Sequence, residues 1–137
     1  MQKKRLSIAL FLGILIDEVS ARTGIKCVDE PDNESSPLYG IEFISSKPSD
    51  TKTMYVDAYE VWFHCISKPT EPYSNAPVLE LVQKLEEALS YEIPVPEPFV
   101  LCGQDYQGLQ TLKRDPSDEG HAVLSYTFRI TYGFKCK

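Results

Sequence analysis

Six residues of this 137-residue chain are of the types that most often perform redox, metal or acid–base chemistry: four cysteines and two histidines. The cysteines are Cys27, Cys65, Cys102 and Cys136, more than 30 residues apart, and no CxxC pair occurs. The spacing therefore predicts neither a zinc site nor a thioredoxin-like redox motif. An even count suits two disulfides in a secreted protein, but free cysteines are also common as small buried side chains.

The two histidines do not form a recognisable catalytic pattern. His64 precedes Cys65 on a predicted strand, where neighbouring side chains point to opposite faces, so the pair has poor geometry for a nucleophile and its base. His121 is isolated at the start of another predicted strand, and we expect an ordinary surface role. The sequence has no Gly-rich phosphate loop, HExxH or GxSxG motif, so we predict no catalytic residues, metal or cofactor. Only a pocket that gathers His64 or His121 with carboxylates would indicate an enzyme.

Charge argues against a nucleic-acid-binding protein. The formal net charge is -6, and lysines and arginines are scattered rather than arranged in a stripe, which is not the footprint of a protein that binds phosphate backbones. Acidic residues cluster over 29–34, but without the alternating ligands and glycine of an EF-hand loop. We therefore expect that cluster to be a solvated loop.

The N-terminal segment is open to three interpretations. Residues 6–16 are apolar apart from Ser7 and Gly13, too short a run to span a bilayer. The basic start and the small residues before position 22 resemble a cleavable export signal. A buried helix is favoured, because Arg22 suits a helix C-terminus and Gly24 is a natural C-cap. Since this helix is apolar almost all round, we expect it to be covered on more than one side.

Side-chain periodicity predicts the remaining elements. Val78, Leu81, Val82, Leu85 and Leu89 follow the spacing of an amphipathic helix, with Asn75 as its N-cap and Pro77 in its first turn. Residues 121–134 alternate as a long half-buried strand, with one face expected in the core. Before the amphipathic helix, the predicted segments are a short strand at 25–28, a strand over 37–44, a polar loop over 45–53 and a strand over 54–66. After it, we predict an extended connection over 94–98 and a turn over 114–120. Between these two lie either two strands, over 99–102 and 106–112, or one strand broken near Gly103.

This order of elements predicts an α+β fold. We expect a single domain over residues 1–137, with a mostly antiparallel sheet packed against two helices. The alternating face of the last strand contains Ala122, Leu124, Tyr126, Phe128, Ile130, Tyr132 and Phe134. On residues 54–66, Trp62 and His64 are expected on the face away from the core, where Trp62 either packs locally or meets a partner.

The chain resembles the tail terminators and related head-to-tail joining proteins of siphophages and prophages of Gram-positive bacteria. The similar segments are TGIKCVDE, PLYGIEF, TKTMYVDAYEVWFHCIS, APVLELVQKLEEALS and GLQTLKRDPSDEGHAVLSYTFRITYGFKCK. The resemblance implies a non-enzymatic assembly protein that caps the tail tube, ends its polymerisation and presents a surface to the head connector or stopper proteins. It also implies a hexameric ring, often monomeric before it meets the tail, made in the host cytoplasm and placed at the head–tail junction of the virion.

Two alternatives remain at this point: a phage head-completion or neck protein, and an exported four-cysteine binding protein that loses residues 1–21. For the assembly role, loops and aromatic anchors are the expected contact sites. An acidic chain would also suit a ring through which DNA passes without sticking. The partner-interface residues predicted on this basis are Lys47, Lys52, Trp62, Arg114, Asp115 and Asp118.

Overall fold

A computed structural model describes residues 4–31 and 34–135 of the chain. In this part of the chain, two helices pack on one face of a five-stranded sheet. The elements in chain order are α1 (Ile8–Thr23), β1 (Cys27–Val28), β2 (Leu38–Pro48), β3 (Met54–Ile66), α2 (Ala76–Ala88), β4 (Val100–Arg114) and β5 (Gly120–Phe134). The predicted α+β class is confirmed.

The apolar N-terminal segment is helix α1, as the helix interpretation predicted. The Ser7 hydroxyl accepts a backbone N–H at its start, and Gly24 ends it in the left-handed conformation. Its most deeply buried side chains are Phe11, Leu15 and Val19. Cleavage after residue 21 would remove all three from the core, where each contributes roughly 1.5–3 kcal/mol. Among the described residues, no helix is both long and apolar enough to cross a bilayer.

Helix α2 buries the face that its periodicity predicted. Val78, Leu81, Val82 and Leu85 lie in the core. Pro77 lies in its first turn, while Asn75 occupies the N-cap position without a side-chain hydrogen bond to the helix. The end of α2 is held by α1, because the guanidinium of Arg22 donates to backbone carbonyls at and beyond it.

The sheet has the strand order β1-β2-β3-β5-β4. Strand β1 pairs with β2 in parallel, and every other pair is antiparallel. On β3, alternate side chains face the helices and are buried: Tyr59, Val61, Phe63 and Cys65. The matching positions of β5 from Ala122 to Ile130 complete the core. The opposite face of the sheet, called here the open face, has no helix packed on it among the described residues.

Two sequence-based predictions are corrected by the structure, and one alternative that the sequence left open is confirmed. Residues 45–48 are not a loop, because β2 continues to Pro48 and pairs with β3 through its backbone. Before the 114–120 turn, the alternative of one strand broken near Gly103 is confirmed, because β4 is a single strand whose first of three register shifts lies between Leu101 and Gly103. Phe134 is not in the core but 68% exposed, because β5 runs on past the buried part of the sheet, beyond a register shift beside Tyr55.

Candidate functional site

The predicted interface residues lie in two groups at opposite ends of the sheet. Lys47 and Lys52 lie at the β2–β3 end, whereas Arg114, Asp115 and Asp118 lie at or beside the β4–β5 turn. Lys47 pairs with Ala58 of β3 and Arg114 pairs with Gly120 of β5. At 3.4 Å per residue, roughly 30 Å of β3 separates these two levels, and Lys52 lies farther away, before the start of β3 at Met54. The structure therefore does not bring the predicted residues together into one site.

At the β2–β3 end, both lysines are exposed, Lys47 on the strand itself and Lys52 in the turn. Trp62 lies on the open face between the two ends and is half-buried. Its indole N–H donates to Glu60 Oε2 at 3.1 Å. Trp62 therefore packs within its own sheet while part of its ring stays accessible.

The β4–β5 turn is held by an ion pair at the turn and by a contact with Tyr73, which precedes α2. Arg114 Nη2 lies 2.8 Å from Asp118 Oδ1, and the guanidinium stacks 4.6 Å from the ring centroid of Tyr73. Asp118 has a φ of 66°, a left-handed conformation that aspartate tolerates better than most residues. Antiparallel pairing across this turn, as the sequence predicted, is confirmed.

A row of four side chains joins the turn to the rest of the sheet, and we call it the histidine row. Glu42 Oε1 lies 2.8 Å from His64 Nε2, and His64 Nδ1 lies 2.8 Å from His121 Nε2. His121 Nδ1 in turn lies 3.0 Å from Asp115 Oδ2. The row therefore links β2, β3, β5 and the β4–β5 turn through three hydrogen bonds.

The carboxylates at the two ends of the row only accept hydrogen bonds. His64 Nε2 therefore donates to Glu42, and His121 Nδ1 donates to Asp115.

The histidine row lies in a cavity of about 410 Å³ at this end of the sheet. Its walls are acidic and apolar, and the lining residues besides the row are Asp29, Pro31, Glu34, Leu38, Ile41, Ile66 and Glu119. Asp29 and Glu34 belong to the acidic run 29–34, so that run is partly a cavity wall; residues 32 and 33 lie outside the described part.

This cavity meets the condition set above for an enzyme, since it gathers both histidines with carboxylates. Every ring nitrogen of His64 and His121 contacts a partner within the row. The described lining residues include no serine, threonine, cysteine or tyrosine that could act as a nucleophile. In residues 4–31 and 34–135, no group of three or more His, Cys, Asp or Glu side chains is arranged to hold a metal ion.

The prediction that His121 is isolated is wrong. His64 and His121 are 57 residues apart in the chain and meet because β3 pairs with β5, with Ile66 opposite His121. Residues two positions apart on adjacent strands share a face, which places the rings side by side. The sequence showed each histidine at a strand end, but it did not show which strands are neighbours.

The cysteines show no pairing in the described part of the chain. Cys27 and Cys65 are buried free thiols, and Cys102 is exposed and free. Burial raises the pKa of the Cys27 thiol to about 12 and that of Cys65 further in the same direction. Cys136 lies outside the described residues. The two buried thiols therefore act as small apolar side chains rather than as nucleophiles.

The structure defines an α+β domain with helices on one face of its sheet and the histidine row at one end. The sequence identifies the family more closely. The family described as "Putative tail termination protein" matches residues 2–137. The chain belongs to this phage tail terminator family, a family of phage tail structural proteins.

The fold has also been seen in a solved particle. A chain from a structure titled "Virion of native gene transfer agent (GTA) particle" superposes with a TM-score of 0.58 at 14% sequence identity. The match covers 82% of this chain and 84% of that chain. At this identity the likeness establishes the fold alone. No curated protein matches the chain in sequence.

Proposed function

We propose that the chain caps the phage tail tube, ends its polymerisation and forms the head–tail joining surface as a ring of six copies. The observation that carries this proposal is the family match, which spans residues 2–137. It favours tail termination over the head-completion alternative, because the matching family is described by tail termination. The protein then acts by binding and not by covalent chemistry.

The two ends of the sheet provide two separate contact surfaces. We propose that the end with Lys47 and Lys52 and the end with Arg114, Asp115 and Asp118 contact different partners, one the tail tube protein and the other a head connector or stopper protein. Their separation of roughly 30 Å or more lets one ring engage both partners at once. Trp62 is the proposed aromatic anchor between them, because part of its ring remains accessible.

Charge supports a ring around a DNA channel. The formal net charge of -6 repels phosphates, so DNA would pass through the ring without being held. We expect no binding of duplex DNA at physiological salt. Before incorporation the protein would be in the host cytoplasm, and afterwards at the head–tail junction of the virion.

Deleting the gene from its phage or prophage tests the proposal. We expect tails of unregulated length and heads without tails, with normal virions restored by the wild-type gene. Lys52→Glu should weaken one junction only, since Lys52 is exposed in a turn. Lys84→Glu, on the exposed face of α2, is the control and should behave as wild type. Normal virions from the deletion strain would exclude the proposed function.

A further inference from the structure

We infer that neighbouring copies in the ring join edge to edge, with β4 of one copy beside β2 of the next. This inference rests on the proposed ring and adds the surface through which its copies meet. It starts from the two edges of the sheet. A free strand edge presents unpaired backbone N–H and C=O groups, and such edges pair with other chains unless they are blocked.

Both edges of the sheet are available in the described part of the chain. Strand β4 is an outer strand of 15 residues. On the other side, the two residues of β1 cover only Tyr39 and Gly40 of β2. The backbone edge of β2 from residue 41 to residue 48 therefore has no strand beside it. One molecule thus presents a different free edge on each side.

The strand directions suit head-to-tail association. Because β2–β3, β3–β5 and β5–β4 are all antiparallel, β2 and β4 run in opposite directions within one copy. Rotation about an axis along the strands then places β4 of one copy antiparallel to β2 of the next. Head-to-tail contacts of this kind between two different patches generate closed rings when the rotation closes.

The two edges also match in their apolar side chains. Following the register across β3 and β5, Ile41 lies level with Leu109 and Phe43 level with Tyr106. All four lie on the helix-covered face of the sheet, since their cross-strand partners are core residues. Tyr106 and Leu109 are 42% and 44% exposed. In the proposed contact, these two exposed side chains would meet the partly exposed Phe43 of the neighbouring copy, while Ile41 beside it is already buried in its own core.

On the open face the register brings one pair of opposite charges together. The same register places Lys47 level with Gly103, two residues from Asp105. Residues at this diagonal offset on adjacent strands are within reach of long side chains. Lys47 of one copy would therefore lie near Asp105 of the next, and a pair of opposite charges favours this register over its alternatives. In the assembled ring, Lys52 is then the lysine of this end that remains for the tail tube or head protein.

The small area of the β4–β2 contact suits copies that associate only when they are bound to the tail tube. The free eight residues of β2 span roughly 27 Å, and a sheet with its helix layer is roughly 20 Å thick. Such a contact buries about 1,100 Å² over both copies, below the range of roughly 1,200–2,000 Å² for stable interfaces and within that of weak, transient ones. Register shifts in β4 at Leu101, Tyr106 and Leu109 further limit regular backbone pairing. We expect monomers in solution and rings on the tube.

Substitutions on the β4 edge test this inference. Leu109→Arg should reduce ring formation on tail tubes at least tenfold, as judged by electron microscopy of tube ends. Leu79→Arg is the matched control, because Leu79 is 43% exposed but lies on α2. Circular dichroism and urea unfolding should show both variants folded. Ring formation by Leu109→Arg at the wild-type level would overturn the edge contact while leaving the capping function intact.

Exchanging the two charges tests the register. The double variant separates the loss of the pair from any damage that one substitution does by itself. Lys47→Asp and Asp105→Lys should each weaken ring formation several-fold, and the double variant should recover most of the wild-type level. Failure of the double variant to recover would refute the proposed register. If the wild-type chain itself forms no ring on tubes, the proposed function fails and the edge contact fails with it.

Discussion

Replacing Arg22 by methionine should destabilise the fold, because Arg22 joins the end of α1 to the end of α2. Its Nη1 donates to the carbonyls of Ala88 and Tyr91, each at 2.9 Å, and its Nη2 donates to that of Glu92 at 2.8 Å. Its Nε also lies 3.1 Å from Glu18 Oε1. A cation at the C-terminal end of α2 interacts favourably with the helix dipole as well.

The expected loss in the free energy of unfolding is about 2–3 kcal/mol. A hydrogen bond from a charged donor contributes about 1.5–3 kcal/mol when buried, and the bond to Ala88 is partly buried. The bonds to Tyr91 and Glu92 are exposed, so water can replace them and each contributes about 0.5 kcal/mol. For a chain of this length the loss corresponds to a Tm lowered by roughly 7–10 °C.

Urea unfolding followed by circular dichroism measures this effect directly. Arg22→Lys should lie between wild type and Arg22→Met, because an ammonium cannot reach all three carbonyls in the same fork. Lys84→Met is the matched control on the exposed face of α2 and should change stability by less than about 0.5 kcal/mol. If Arg22→Met unfolds at the same urea concentration as the control, the inferred bridge between the helices does not stabilise the fold.

Three further predictions concern buried or paired groups. His64→Gln and His121→Gln should each cost about 1 kcal/mol, and the double variant should cost less than their sum because both break the same row; additive losses in urea unfolding would contradict the shared hydrogen bond. Native protein treated with iodoacetamide should react at Cys102 well before Cys27, since Cys27 is buried and its pKa is raised to about 12. Peptide mass spectrometry measures the two rates. Equal rates would show that Cys27 is not buried in the core. Burial raises the pKa of Asp57 above its ordinary 3.8, so the folded state binds the proton of this carboxyl group more tightly than the unfolded state does. The protonated carboxyl group therefore adds to stability below pH 3.8, and this contribution is lost as pH rises through the folded pKa. Stability relative to Asp57→Asn should therefore fall from pH 3.5 to pH 6; a rise over that range would show that pairing with Arg5 (2.9 Å) outweighs burial.

Local side-chain patterns predicted the helices and strands that bury one face and expose the other. The spacing of Val78, Leu81 and Leu85 predicted α2, and the alternation from Ala122 to Ile130 predicted β5, because a repeated apolar position has the same environment along an element. Gly24 and Arg22 predicted the end of α1 for a similarly local reason, since cap chemistry depends on a few adjacent residues.

Features that depend on neighbouring strands were not predicted. Residues 45–48 have a loop-like composition, but their backbone completes the pairing of β2 with β3. Phe134 continues the alternation of β5 after the core has ended. His64 and His121 meet only because β3 lies next to β5. A single sequence shows the face of a strand, but not the identity of its neighbour or the extent of the layer that covers it.

Adding the purified chain to tubes growing from the tail tube protein of the same phage tests the proposed function most directly. Electron microscopy should show growth stopped, with a ring at one end of each tube and tube length falling as more protein is added. The match of the whole chain to the tail termination family leads us to expect this result. Tubes that reach the same length with and without the protein, and whose ends carry no ring, would contradict the proposed capping function.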